Sequence, residues 1–175
     1  MAKIFMQDDC LVPEHYITVK YKGLNPIEAY HQTITFLREI WEVEAKDYWE
    51  REFKWDVTVD PRTFFVKAFV DKGVDNKTSI TIEVLLTGTQ PSDPNRPGKL
   101  EIKMSGVMRT TFGGNGILED ARNPFYKSFV WLYNHLFYTK QRRYYLNVWC
   151  KKNLHRLKKR YENLLNMLPE GEKYI

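Results

Sequence analysis

The chain has 175 residues, 43% of them hydrophobic, and a net charge of +5, a profile that excludes a disordered or collagenous chain and fits one globular domain. No apolar run reaches the length of a membrane span or a secretory leader, which predicts a cytoplasmic protein. Cys10 and Cys150 stand far apart without metal-ligand spacing and are expected to be reduced thiols; neither a metal nor a cofactor is expected.

Residues 1–15 are weakly patterned, and Pro13 argues against a central strand there. Residues 16–21 alternate β-branched and aromatic types and predict a strand. Asn25-Pro26 predicts a helix start, with Asn25 capping the free amides and Glu28 at the positive end of the dipole. Ile27, Tyr30, Ile34, Leu37 and Trp41 predict its buried stripe, ending near Val43. Residues 48–60 switch to period two, with Trp49, Phe53, Trp55, Val57 and Val59 on one face and Arg51 interrupting it. Strands follow over 63–71, 78–87 and 99–112, separated by a turn at 72–77 and a long proline-rich loop at 90–98. Phe65 and Phe69 put apolar surface on the second side of their strand, so cover on both faces is expected there. Gly106 on the apolar face of the last strand predicts a bulge or a close contact. Four consecutive strands with short connections predict an antiparallel meander.

From Asn123 the chain runs to Pro169 with no acidic residue before Glu162. Ten of the 27 basic residues lie between Asn123 and Tyr161, and the remaining 17 face all 22 acidic residues, a net of −5. A mildly acidic body thus carries a strongly basic helical end. A helix over residues 124–168 would be roughly 67 Å long, whereas a ten-residue strand spans about 33 Å, so the sheet can cover only part of it. Phe125, Phe129, Leu132 and Leu136, with Tyr126, Val130, Tyr133 and Phe137, make a wide apolar face and predict that the aromatic front half lies on the sheet. The stripe fails at 139–143 and resumes as a near-heptad seam at Leu146, Cys150, Leu154, Leu157, Tyr161, Leu164 and Leu168. That second half is expected either to fold back on the body or to project and pack on another copy.

The fold class is therefore α+β: a curved antiparallel sheet packed against an N-terminal helix and a long C-terminal helix, in a single domain 1–175 with a sheet-and-helix body at 16–140 and a basic helical extension at 141–175. This element order resembles the helix-grip fold of the START and Bet v1-like superfamily, in which a bent sheet wraps the C-terminal helix and leaves an apolar cavity between them. The resemblance spans most of residues 16–140 and rests on element order. The chain departs from the family in having fewer strands, a much longer last helix, and its glycine-rich turn, Gly113-Gly-Asn-Gly116, after the last strand. What carries over is the fold and the cavity, not individual residues.

A cavity of that kind would be lined by Trp41, Trp49, Phe53, Trp55, Phe64, Met104, Met108, Phe112, Phe125 and Phe129, with Arg51 and Thr110 as polar groups, a composition suited to an apolar or amphipathic small molecule bound without catalysis. The alternative is an ordinary packed core. A second candidate is the basic helix, where Lys140, Arg142, Arg143, Lys151, Lys152, Arg156, Lys158, Lys159 and Arg160 could meet nucleic acid or an anionic membrane. A homodimer through the C-terminal helix is the expected assembly, and an interaction protein without a ligand is the third reading. No nucleophile motif or paired acid–base signature is present.

Overall fold

The computed structural model describes residues 3–113 and 122–167. The chain forms β1 (Ile4–Asp9), β2 (Ile17–Gly23), α1 (Glu28–Trp41), a single 3-10 turn (Ala45–Asp47), β3 (Tyr48–Asp56), β4 (Arg62–Gly73), β5 (Thr78–Gln90), β6 (Gly98–Phe112) and a long helix, α2, over residues 124–164. The architecture is α+β, as expected. β3 to β6 form the antiparallel meander in the order β6-β5-β4-β3. β1 and β2 both pair with the outer flank of β6, β1 along its last residues (Ile4↔Phe112) and β2 along its first (Ile17↔Met104). They act as one edge strand broken at residues 10–16. β1 was not expected, because its acidic, irregular end lacks the alternation that marks a half-buried strand. Of the glycine-rich turn only Gly113 lies within the described residues, at φ 117°.

Arg51 has a structural meaning. The β3–β4 register shifts between Glu50 and Glu52, so Arg51 is the extra residue of a β-bulge. The bulge reverses which side chains face the helices. Trp49 pairs with Phe69 on one face, whereas Phe53 and Trp55 pair with Val66 and Phe64 on the other. The single apolar face expected for residues 48–60 is therefore split.

The core lies between one face of the sheet and the two helices. Phe64, Val66, Ile80, Ile82, Leu86, Ile102, Met104 and Met108 supply the sheet side. From α1 come Ala29, Thr33, Phe36, Leu37, Ile40 and Trp41, a stripe rotated from the expected one, with Ile34 exposed. Thr33 belongs to the buried face because its hydroxyl donates to the Ala29 carbonyl (2.7 Å) and meets the Tyr161 hydroxyl (2.8 Å). Asn25 does not cap α1 through its side chain and instead takes a left-handed conformation.

α2 inverts the expectation. Asn123 caps its first turn by accepting from the Phe125 amide (3.0 Å). Two π-helical stretches, Asn134–Tyr138 and Tyr144–Cys150, interrupt the α-helical hydrogen bonding without ending the rod. It is the basic second half that covers the sheet: Cys150, Leu154, Leu157, Tyr161 and Leu165 are buried. The aromatic front half overhangs the sheet. Phe125 is 76% exposed, Phe129 68% and Leu136 59%. Leu168 falls outside the described residues.

Tyr138 marks the crossing point. Its hydroxyl hydrogen-bonds the Asp75 carboxylate (2.6 Å) and the Thr78 hydroxyl, which in turn meets the Thr110 hydroxyl (3.1 Å). Burial and Asp75 push the Tyr138 phenol up to about 12. Burial and Glu50 do the same for Tyr48, also to about 12. Burial raises Tyr161 as well. A phenol raised in the fold stays protonated there after the unfolded chain has begun to ionise near pH 10, so its stabilisation is intact below that pH and is lost as pH rises toward the folded value. Thermal unfolding measured at increasing alkalinity should show the midpoint falling between about pH 10 and 12, and Tyr138→Phe should make that fall shallower. An alkaline profile unchanged by the substitution would remove Tyr138 from the account.

Cys10 and Cys150 form a disulfide with their Cα atoms 6.0 Å apart, which overturns the expectation of reduced thiols. Gly106 lies beneath it. A Cβ there would sit 3.0 Å from the Cys150 Sγ and 3.1 Å from the Cys10 Sγ, so the close contact expected at this glycine is made with the bridge. No described helix is long and apolar enough to cross a membrane.

Candidate ligand cleft

The residues expected to line a cavity do not converge on one. Trp41, Phe64, Met104, Met108, Thr110 and Phe112 are buried on the helix-facing side of the sheet, where Leu154, Leu157 and Tyr161 are buried with them. Trp41 meets Trp149 edge to face at 5.2 Å. Thr110 is engaged by Thr78. Trp55 is half-buried and stacks on Phe64. Trp49 and Phe53 are nearly half exposed, and Phe125 and Phe129 project into solvent. Arg51 is exposed at the bulge, its guanidinium 5.9 Å from the centre of the Phe69 ring.

A large cleft lies on the opposite face of the sheet. Its volume is about 1160 Å³, and no residue of α1 or α2 lines it. The lining follows from strand register. Three adjacent cross-strand rows supply it: Lys54, Phe65, Thr87, Glu101 and Lys20; then Trp55, Phe64, Gly88, Leu100 and Tyr21; then Asp56, Thr63, Thr89, Lys99 and Lys22. Successive side chains alternate across a pleated sheet. The middle row points to the core and gives the cleft its backbone floor, while the two outer rows send their side chains into it. The lining runs from edge strand β3 to edge strand β2, across the width of the sheet. Gly88 leaves room for the Phe64 ring on the core side, where a Cβ would sit 2.5 Å from that ring and from the Lys99 carbonyl oxygen.

The chemistry of the cleft is an aromatic and hydroxyl base with a cationic rim. Phe65 sits among Thr63, Thr87 and Thr89. Lys54 lies 5.8 Å from the centre of the Phe65 ring and also pairs with Glu52 (2.5 Å). On the other rim Lys22 stands directly opposite Lys99, with Lys20 two residues along the same face. Like charges facing each other across a ladder repel. Glu101, the acidic neighbour opposite Lys20, is drawn 3.6 Å from Lys103. Phe69, on this face with its cross-strand neighbour Trp49, carries the cations of Arg51 and Lys67 over its ring rather than a second layer.

Sequence reasoning missed Lys20, Lys22 and Lys99. The alternation of residues 16–21 does put Lys20 on a polar face, but the pairing that sets Lys22 against Lys99 is a property of register, which joins segments far apart in the chain.

The nine cations of α2 expected to meet an anionic partner divide. Arg142 pairs with Asp8, Lys158 with Glu162 (3.3 Å) and Arg160 with Glu39 (3.4 Å). Lys152 and Arg156 border a smaller groove beside Trp149 and the end of α1, about 210 Å³ in volume. Lys140, Arg143, Lys151 and Lys159 are exposed. Partial burial, then Lys151 and Lys158, hold the His155 imidazole below the usual range. Among the described residues no group of three His, Cys, Asp or Glu is placed to hold a metal ion.

No family model and no curated protein matches the chain. A solved structure of an uncharacterized protein from Rhizobium leguminosarum aligns over 91% of this chain and 99% of its own at 10% identity, with a TM-score of 0.19, too low to carry any argument here.

Proposed function

We propose that the protein is a non-enzymatic binder of an amphipathic small-molecule anion, held in the cleft on the helix-free face of the sheet. The observation that carries this reading is the Lys22–Lys99 pair on the rim of an open cleft of about 1160 Å³. A bound carboxylate, sulfonate or phosphate would convert that repulsion into two charge-assisted contacts, while Phe65 and the threonine methyls take the apolar part. The volume suits a ligand of drug-like size. The helix-facing space expected to hold the ligand is filled by side chains of the core, so the cleft takes its place in this reading.

Anilinonaphthalene sulfonate is a fluorescent amphipathic anion and the direct probe. The folded protein should enhance its fluorescence saturably, and Lys22→Glu with Lys99→Glu should weaken the affinity by about tenfold or more, the scale of one or two charge-assisted contacts. Equal affinity in the double variant would sink the proposal.

A second reading, contact of the basic half of α2 with nucleic acid, has support in Lys140, Arg143, Lys151 and Lys159, all exposed. A steep loss of binding with salt is its signature. The cytoplasmic location expected from the sequence is a proposal of the same kind. The paired cysteines weigh against it, since disulfides persist in oxidising compartments.

A further inference from the structure

The front half of α2 is apolar on several sides at once, and most of that surface is used by neither the fold nor the cleft. Residues 124–138 hold one charge, Lys127. Val130 and Tyr138 turn inward to meet Phe112. Tyr126 packs beside them and Tyr133 meets the Phe112 ring edge to face, whereas six large side chains stay in water: Phe125, Phe129, Leu132 and Leu136 at spacings of four, three and four, and beyond that seam Trp131 at 65% and Phe137 at 70% exposure. Patches of this size mark interaction sites.

Two observations select the occupant. The first is width. A second copy pairing through the seam would cover Phe125, Phe129, Leu132 and Leu136, but Trp131 and Phe137 lie on other sides of the helix, and only a surrounding apolar medium takes them all. The second is charge. α2 carries no acidic residue before Glu162, and Lys127, Lys140 and Arg143 flank the apolar stretch. Two such helices side by side would oppose like charges with no carboxylate between them. An anionic surface complements them. The stretch is roughly 22 Å long as a helix, short of the ~30 Å hydrocarbon core, so it fits the plane of an interface rather than a crossing. Trp and Tyr favour that depth, one end apolar and one end wet.

We propose that residues 124–138 dock the protein on the surface of an anionic lipid bilayer, with Phe125, Phe129, Trp131 and Leu136 entering the acyl boundary and Lys127, Lys140 and Arg143 meeting headgroups. This surface is separate from the cleft, and the proposal stands or falls independently of it.

Co-sedimentation of the full chain with vesicles tests it. The protein should pellet with an equimolar mixture of phosphatidylcholine and phosphatidylglycerol, and far less with phosphatidylcholine alone. Acyl-brominated lipid in the mixture should quench tryptophan fluorescence, and Trp131→Phe should abolish that quenching while keeping the pelleting. Phe125→Ser, Phe129→Ser and Leu136→Ser together should weaken partition by at least about tenfold, with the thermal midpoint confirming that these exposed positions leave the fold intact. Lys140→Glu with Arg143→Glu should remove the preference for the anionic mixture. Wild-type protein that stays in the supernatant with both vesicle types would overturn the proposal, as would a triple serine variant that pellets like wild type. It would also be overturned by a wild-type dimer in the ultracentrifuge that the triple variant turns into monomer, because the helix would then pair with a second copy.

Discussion

Leu157→Ala is expected to cost roughly 2–5 kcal/mol of stability, and Leu136→Ala almost nothing. Both are leucines on the same helix, 21 residues apart, so propensity and residue type cancel. What differs is where the rod lies on the sheet. Leu157 has no exposed surface, so truncation removes its transfer energy and leaves a cavity in the core. Leu136 is 59% exposed on the overhanging half, where substitutions away from special features stay within about 0.5 kcal/mol. Urea unfolding of the two variants decides it. The opposite order would restore the reading in which the aromatic half covers the sheet.

That comparison isolates the largest thing the sequence left undetermined. The meander was legible because period-two alternation survives in β4, β5 and β6, whose helix-facing residues are buried almost without exception. The long helix was legible as an uninterrupted, breaker-free run. Its orientation on the sheet was not, since both halves offer an apolar stripe and hydrophobicity alone ranks the aromatic half first. The decision came from long-range terms: the Cys10–Cys150 bridge, Gly106 beneath it, and the Thr33–Tyr161 contact to α1. The π-helical stretches added to this by shifting the phase of a 3.6-residue count on either side of residues 139–143, where the expected stripe failed. β3 misled for a related reason. One bulge residue, Arg51, exchanges the two faces of a strand, and a sequence shows only that the alternation has slipped. The candidate cleft was least legible of all. Its lysines come from β2, β3 and β6, and their meeting is set by pairing registers rather than by any local pattern.

Replacing Cys10 and Cys150 together by serine is expected to lower stability by about 3–5 kcal/mol, or the midpoint by roughly 10 °C. The bridge closes a loop with a sequence separation of 140, so its removal restores much of the conformational freedom of the unfolded chain. Reductant should bring the wild-type protein to the same midpoint, and the intact mass should change on reduction. Two titratable thiols in the native protein would defeat the prediction. Gly106 sharpens the test. Gly106→Ala sets a methyl at 3.0 and 3.1 Å from two sulfurs that are fixed by their bond, an overpacking on the order of 1–3 kcal/mol. In the serine background the two side chains are no longer tied and can part, so the same substitution should cost less. The difference between the two costs is a coupling energy that only a bridge crossing over Gly106 produces. A sizeable value would also bear on where the protein works, because a bridge that contributes this much to the fold is retained in oxidising compartments and opened where thiols are kept reduced.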